Sequence, residues 1–253
     1  MPPAPATHVY LSPHLDDVVL SCGGMIHKQT QAGERVVVVT ACAGDPPPGP
    51  LSDFAAGLHA RWSGFPAALP PPTKITAARR AEDLEAVGRL GAEAIYFGVP
   101  DCIYRTDPLS KRHLYISEAA LFGELHPAEQ TLARRTATRL SDLLRGFQRH
   151  RLYAPLGLGH HVDHQLTRQA AESVGGVQAY FEDYPYVARA DPAGLANAPE
   201  TRILLERGLS PTIIPLDPDN VRAKVESIAA YISQISTFWP DAAAMERAVR
   251  KFV

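Results

Sequence analysis

The stretch LSPHLDDVVLSCGG, residues 11–24, decides how this chain is read. An apolar run ends at Ser12, a histidine and two adjacent aspartates follow, and a new apolar pattern starts at Val18. Neighbouring carboxylates repel each other, and a strand tip gains nothing from them unless a cation or a reaction requires both. The run HVYLS (8–12) is a strand, and VVLSCGGMIHKQTQAG (18–33) is a helix closing on Gly33. The polar cluster therefore fills a strand-to-helix turn.

The alternation continues along the chain. RVVVVTACA (35–43) is β-branched with little polar alternation, as expected of a strand buried on both faces. Helices are expected over 74–91, 128–150, 163–175, 218–236 and 241–252, and strands over 93–99, 151–156, 177–182 and 211–216. Strands alternating with helices build βαβ units, so the fold class is α/β with a mostly parallel sheet and helices on both faces. A length of 253 residues suits a single domain, 1–253, with long irregular loops near 44–73 and 101–127. Ligands of such sheets bind beyond the carboxyl ends of the strands, where these loops start.

Composition excludes several classes. A formal net charge of −2 offers no basic excess for nucleic acid or anionic membranes. Three scattered cysteines, Cys22, Cys42 and Cys102, make no disulfide framework, and Cys42 and Cys102 are read as apolar filling near strand ends. The start MPPAPATHVY is no signal peptide, and no run reaches the length of a membrane span, so a cytoplasmic location is expected. A homo-oligomer is compatible with this composition.

A second cluster, His160-His161-Val162-Asp163-His164, follows the strand RLYAPL. With Pro13-His14-Leu15-Asp16-Asp17 it supplies imidazoles and carboxylates at one sheet edge, an inventory suited to Zn2+ and, less selectively, to iron, cobalt or nickel. His14 and Asp17 are three apart and can face the same way, leaving Asp16 to point elsewhere. One further ligand from the second cluster would leave a position open for water, the catalytic arrangement, with Asp16 placed to take a proton. The plainer readings are that Asp17 and Asp163 cap their helices and that His160 is a loop histidine.

PHLDD with a distant HVDH resembles the paired motifs of the PIG-L/LmbE-like de-N-acetylases. RRAEDLEAVGRLG resembles that family's R-x-x-E helix, VPDC its Pro-Asp segment, and AAYISQ (229–234) its C-terminal helix motif. The resemblance implies a Rossmann-like fold and zinc-dependent removal of acetate from an N-acetylglucosamine-type sugar or glycoconjugate. It implies His14, Asp17 and His164 as metal ligands and Asp16 as general base. It implies His161 as the acid that holds the oxyanion and protonates the amine, with Asp163 orienting it, and Arg79 and Asp101 beside the sugar. His160 takes no role from it. On residues alone, Arg79 could instead pair with Glu82 or Asp83 along a helix face.

Two alternatives differ in the chemistry they need. A dinucleotide enzyme would place a G-x-G-x-x-G turn directly after the first strand, whereas SCGGM lies inside the helix. A metallohydrolase acting on a non-sugar amide or ester would use the same inventory. Only the loops distinguish it, with Phe54, His59, Arg61, Trp62, Phe65, Tyr104 and Arg105 available for a sugar ring or for pinning the loop.

Overall fold

The structure, a computed structural model, describes residues 6–63, 71–189 and 198–253. Its strands are β1 (Thr7–Ser12), β2 (Val36–Thr40), β3 (Glu93–Tyr96), β4 (His150–Pro155) and β5 (Val177–Phe181). They form one five-stranded sheet in the order β3-β2-β1-β4-β5, and every pairing is parallel. The helices are α1 (Asp17–Gln31), α2 (Asp53–Ser63), α3 (Pro72–Arg89), α4 (Glu118–Leu121), α5 (Gln130–Arg145) and α6 (Val162–Val174). The rest are α7 (Tyr186–Arg189), α8 (Pro199–Glu206), α9 (Pro218–Ile228), α10 (Ile232–Phe238) and α11 (Ala242–Phe252).

Central position explains the apolar runs. Val9 of β1 pairs with Val37 of β2 on one side and Leu152 of β4 on the other. Both β1 and β2 are buried throughout, so successive residues feed opposite cores. Val9, Leu11, Val37 and Val39 pack against Leu140 and Leu144 of α5 and Ala171 of α6. Tyr10, Val36 and Val38 pack against α1, Ala86 and Val87 of α3, and Val225 and Ile228 of α9. Each fully buried Val or Leu contributes roughly 1.5–3 kcal/mol of transfer free energy.

The chain builds β1, β2 and β3 outward in one direction, then returns past β1 to place β4 and β5 on the other side. The connection therefore reverses between β1 and β4, the switch point at which such sheets leave a crevice. PHLDD follows β1 and HHVDH follows β4, so both clusters open on it.

Several expectations change. PTIIPL (211–216) forms no regular element and joins no strand of the described sheet. Prolines at both ends remove ladder donors, and Ile213 lies 93% exposed. The helix expected over 218–236 is two, α9 and α10, interrupted where the Tyr231 hydroxyl donates to Asp83 Oδ1 (2.6 Å). The 44–73 segment contains α2 and the start of α3, and part of its second proline tract, with Phe65, lies outside the described residues.

The SCGG glycines serve packing. A Cβ on Gly24 would stand 2.5 Å from Leu216 Cδ1, and one on Gly23 would stand 3.2 Å from Lys224 Cγ. Small residues here let α9 and the segment before it lie close against α1. That approach buries Lys224, which donates to the Ser21 carbonyl (3.2 Å) and lies 5.4 Å from the centre of the Tyr184 ring.

Burial pushes the Lys224 ammonium down to about 8, with Cys22 opposing. Its unfolded value lies above its folded value, so the unfolded chain holds more protons between about pH 8 and 10.5, and this group's burial penalty fades as pH rises through that window. Lys224→Met is expected to unfold later than wild type at pH 7, by on the order of 1–3 kcal/mol. The advantage should shrink steadily towards pH 10, as read by denaturant melts of both proteins at matched pH.

Candidate active site

The turn after β1 is fastened before its carboxylates are aimed. Ala41 N–H donates to the Ser12 carbonyl (2.8 Å) and Cys42 N–H to that of Pro13 (2.9 Å), tying the turn to the end of β2. Ser12 Oγ accepts from Val18 N–H (3.2 Å), so a serine from the strand caps α1. Asp16 stands at the helix start without a capping bond, and its carboxylate has no hydrogen-bond partner among the described residues. Asp17 turns its Oδ2 back to His14, accepting from the backbone N–H (2.8 Å) and approaching ring Nδ1 (3.1 Å).

The turn after β4 completes the set. His164 Nε2 lies 3.3 Å from the same Asp17 Oδ2, and its Nδ1 lies 2.7 Å from Asp183 Oδ1. His14 Nε2 lies 2.9 Å from Asp163 Oδ2. Each of these two histidines thus sits between two carboxylates. A neutral imidazole has one N–H and one lone pair, so it cannot satisfy both neighbours. Either each ring carries two protons or a cation stands in for one of them.

The titration directions follow. Burial disfavours a charged His14, but Asp163 and Asp17 hold it well above the ordinary imidazole value. Burial also opposes a charged His164, yet Asp17 and Asp183 push it up to about 9. Burial would raise Asp17, but His164 and His14 hold its carboxyl well below the usual range. Asp16 goes the other way: burial and the charge of Asp17 push it up to about 8, against Arg79 and His14.

These donors fit a divalent metal. The separations of 3.1 and 3.3 Å from Asp17 Oδ2 to the two rings are close to the edge of a tetrahedron with bonds of about 2.0–2.1 Å. His164 Nε2 is buried without a hydrogen bond, the state of a nitrogen aimed at an ion. His14, His161 and His164 also offer ring nitrogens within 4.8 Å of one another, as do the donors of Cys102, His161 and Asp163 and of His14, Asp101 and Asp163.

A sequence model of the family described as PIG-L, GlcNAc-PI de-N-acetylase, matches residues 9–174. The chain belongs to the PIG-L family. A relative, 2'-N-acetylparomamine deacetylase of Niallia circulans, is 27% identical over 193 residues, 70% of this chain and 66% of that protein, just under two thirds of its length. The zinc-inhibited form of teicoplanin deacetylase Orf2 superposes with a TM-score of 0.79 at 22% identity, covering 98% of this chain and 91% of that one. The A40926 pseudoaglycone deacetylase Dbv21 does so with a TM-score of 0.67 at 23% identity, covering 94% and 86%. At such identities the superpositions establish the fold.

In this PIG-L chain the remaining expected residues fall as follows. His161 caps α6, its Nδ1 accepting from the backbone N–H of Asp163 (3.2 Å), which assigns the ring proton to Nε2. Burial and the neighbouring His14 hold His161 well below the ordinary range, so it is neutral. The Asp163 side chain reaches His14, not the His161 ring, and also accepts from Cys102 N–H (3.0 Å). Arg79 lies 3.8 Å from Asp101, so the two expected sugar contacts meet. Glu82 and Asp83, the alternative partners of Arg79, instead bind Ser233 and Tyr231. His160 lies at φ 61° and meets Glu200 (2.9 Å) and Glu124 (3.2 Å), away from the acid cluster.

The partners of other residues emerge only in three dimensions. Arg105 is buried, with Nη2 at 2.5 Å from Asp163 Oδ1 and Nε at 2.7 Å from Glu129 Oε1, ion pairs whose N–H groups are not in line. Tyr115 donates to the other Glu129 oxygen (2.5 Å). Burial would raise Asp163, but Arg105 and His14 hold it well below the usual carboxylate range. Asp183 binds the Gly157 and Leu158 N–H groups (2.7 and 2.9 Å) while holding His164. Its position just after β5, on the same sheet edge as both clusters, marks it in the sequence as a pocket-wall residue, and the structure adds its contact with His164. Of the loop aromatics, His59 is buried against the Tyr104 hydroxyl (2.6 Å), while Trp62 lies 4.5 Å from the Arg79 guanidinium. No described helix is long and apolar enough to cross a membrane.

Arg105→Met strands two buried carboxylates and should cost roughly 3–5 kcal/mol of unfolding free energy in denaturant melts. Asp183→Asn should leave the fold intact but weaken zinc binding about 10–100-fold in chelator competition, because His164 loses the carboxylate behind it.

Proposed function

We propose that this chain is a zinc-dependent N-deacetylase acting on the acetamido group of a sugar or glycoconjugate, within one domain that works in the cytoplasm. One observation carries the reading: two histidines share a single Asp17 oxygen between flanking carboxylates, and an unbonded Asp16 stands beside them. The names of the deacetylase relatives support the amide as the bond and an amino sugar as the substrate class. When bound by His14, Asp17 and His164, zinc supplies polarisation of the acetyl carbonyl and a lowered water pKa.

The chain's own residues perform the rest. Asp16 accepts a proton from the attacking water, and a nearby cation favours the ionised form that a base needs. His161 donates a hydrogen bond from Nε2 to the acetyl oxygen as negative charge develops there. The C–O bond forms, the C–N bond breaks, and the amine nitrogen takes back the proton that Asp16 received. Acetate and a free amine leave without a covalent enzyme intermediate. A neutral His161 fills a narrower part than the protonated acid that the resemblance implies, because its burial disfavours a second proton. Arg79 and Asp101 are proposed to hold sugar hydroxyls.

Asp16→Asn tests the assignment. The variant should bind zinc stoichiometrically yet release primary amine from N-acetylated sugars at least 100-fold more slowly than wild type. Retained activity would remove Asp16 as the base. His164→Ala should instead lose the metal.

A further inference from the structure

A cavity of about 420 Å³ is lined by α2, α3 and α10. Its wall carries Arg61, Lys74 and Arg79 against one carboxylate, Glu82. That carboxylate is already used: it accepts from the Ser233 backbone N–H (2.9 Å) and hydroxyl (2.6 Å). Arg79 is buried, with Nε lacking a hydrogen bond and only a 3.8 Å approach to Asp101. Arg61 and Lys74 have no ion pair or hydrogen bond among the described residues. The apolar wall is Trp62, Ile75 and Ile232, and Ile232 is 77% exposed. Arg79 links the cavity wall to the reacting centre, lying 3.8 Å from Asp101, which offers a donor within 4.8 Å of His14 and Asp163.

We propose that this cavity is a substrate subsite for an anionic group, a carboxylate or phosphate, carried on an apolar or aromatic substituent of the acetylated sugar. The inference rests on the deacetylase reading and narrows its substrate class. Arg61 and Lys74 hold the anion, the apolar wall covers the substituent, and Arg79 spans from the subsite to the sugar. Arg61 and Lys74 are exposed and free of partners among the described residues, so they can meet an anion at little desolvation cost, and the apolar wall matches an apolar stem beneath it.

The test compares three aryl glycosides of N-acetylglucosamine carrying 4-carboxy, 4-phosphonooxy or 4-methyl groups, using wild-type and Arg61→Gln/Lys74→Gln proteins loaded with zinc. Amine release gives KM and kcat, and calorimetric titration with the matching free-amine glycosides reads binding without turnover. Wild type should favour both anionic glycosides through KM by about tenfold. The double variant should lose that preference in KM and in binding while leaving kcat and the 4-methyl glycoside unchanged. A preference for only one anion separates carboxylate from phosphate and still supports the subsite. Equal binding of anionic and neutral glycosides, an unchanged preference in the double variant, or no binding of any glycoside overturns it. Charge-selective binding without amine release would keep the subsite and reject the deacetylase reading. Turnover indifferent to charge and to both substitutions would do the reverse.

Discussion

A single carboxylate oxygen organises this structure. Asp17 Oδ2 stands within 3.3 Å of a backbone N–H and of two imidazole nitrogens drawn from turns about 150 residues apart in sequence. Around it Asp16, Asp101, Asp163 and Asp183 converge, most of them buried. So many acids in a low-dielectric crevice are tolerable only with positive charge among them. Protonated His14 and His164 would supply part of that charge, and a divalent ion held by the same groups is the alternative.

The surroundings turn that electrostatic demand into fixed geometry. Arg105 ties Asp163 to Glu129, and Tyr115 ties Glu129 in turn, so the carboxylate facing His14 is held from behind. Asp183 does the same for His164, anchored by two backbone N–H groups of the turn after β4. A buried arginine between two acids is expensive to desolvate and is poor evidence for stability as such. Its value lies in restricting where the Asp163 carboxylate that faces His14 can be. The parallel sheet makes this possible, because its connection reverses between β1 and β4 and leaves both turns at one open edge.

Much of this was legible from residue order. Alternating apolar runs gave the strand and helix types, and PHLDD and HVDH after two strands gave the sheet edge on which the two clusters meet. Less legible were features that depend on tertiary partners. PTIIPL has the composition of a strand, yet its prolines and its position beside α1 keep it out of the sheet. The break between α9 and α10 is invisible in periodicity because Asp83 and Glu82, far away in sequence, fix it. Arg105 stood out in the sequence only as a candidate for the sugar or for pinning the loop, and its pairing with Glu129 and Asp163 is defined only when both ends meet. The pairing of Asp163 with His161 came from the family resemblance, whereas in the structure the carboxylate turns across the crevice to His14.

Whether a cation occupies the point where these groups converge is measured most directly by anomalous diffraction from crystals grown with zinc. A single strong peak bonded to His14, Asp17 and His164, with the Asp16 carboxylate beside it and unligated, is the expected result. A peak bonded instead through Asp16, or through Cys102, His161 and Asp163, or no peak in the crevice, would contradict it.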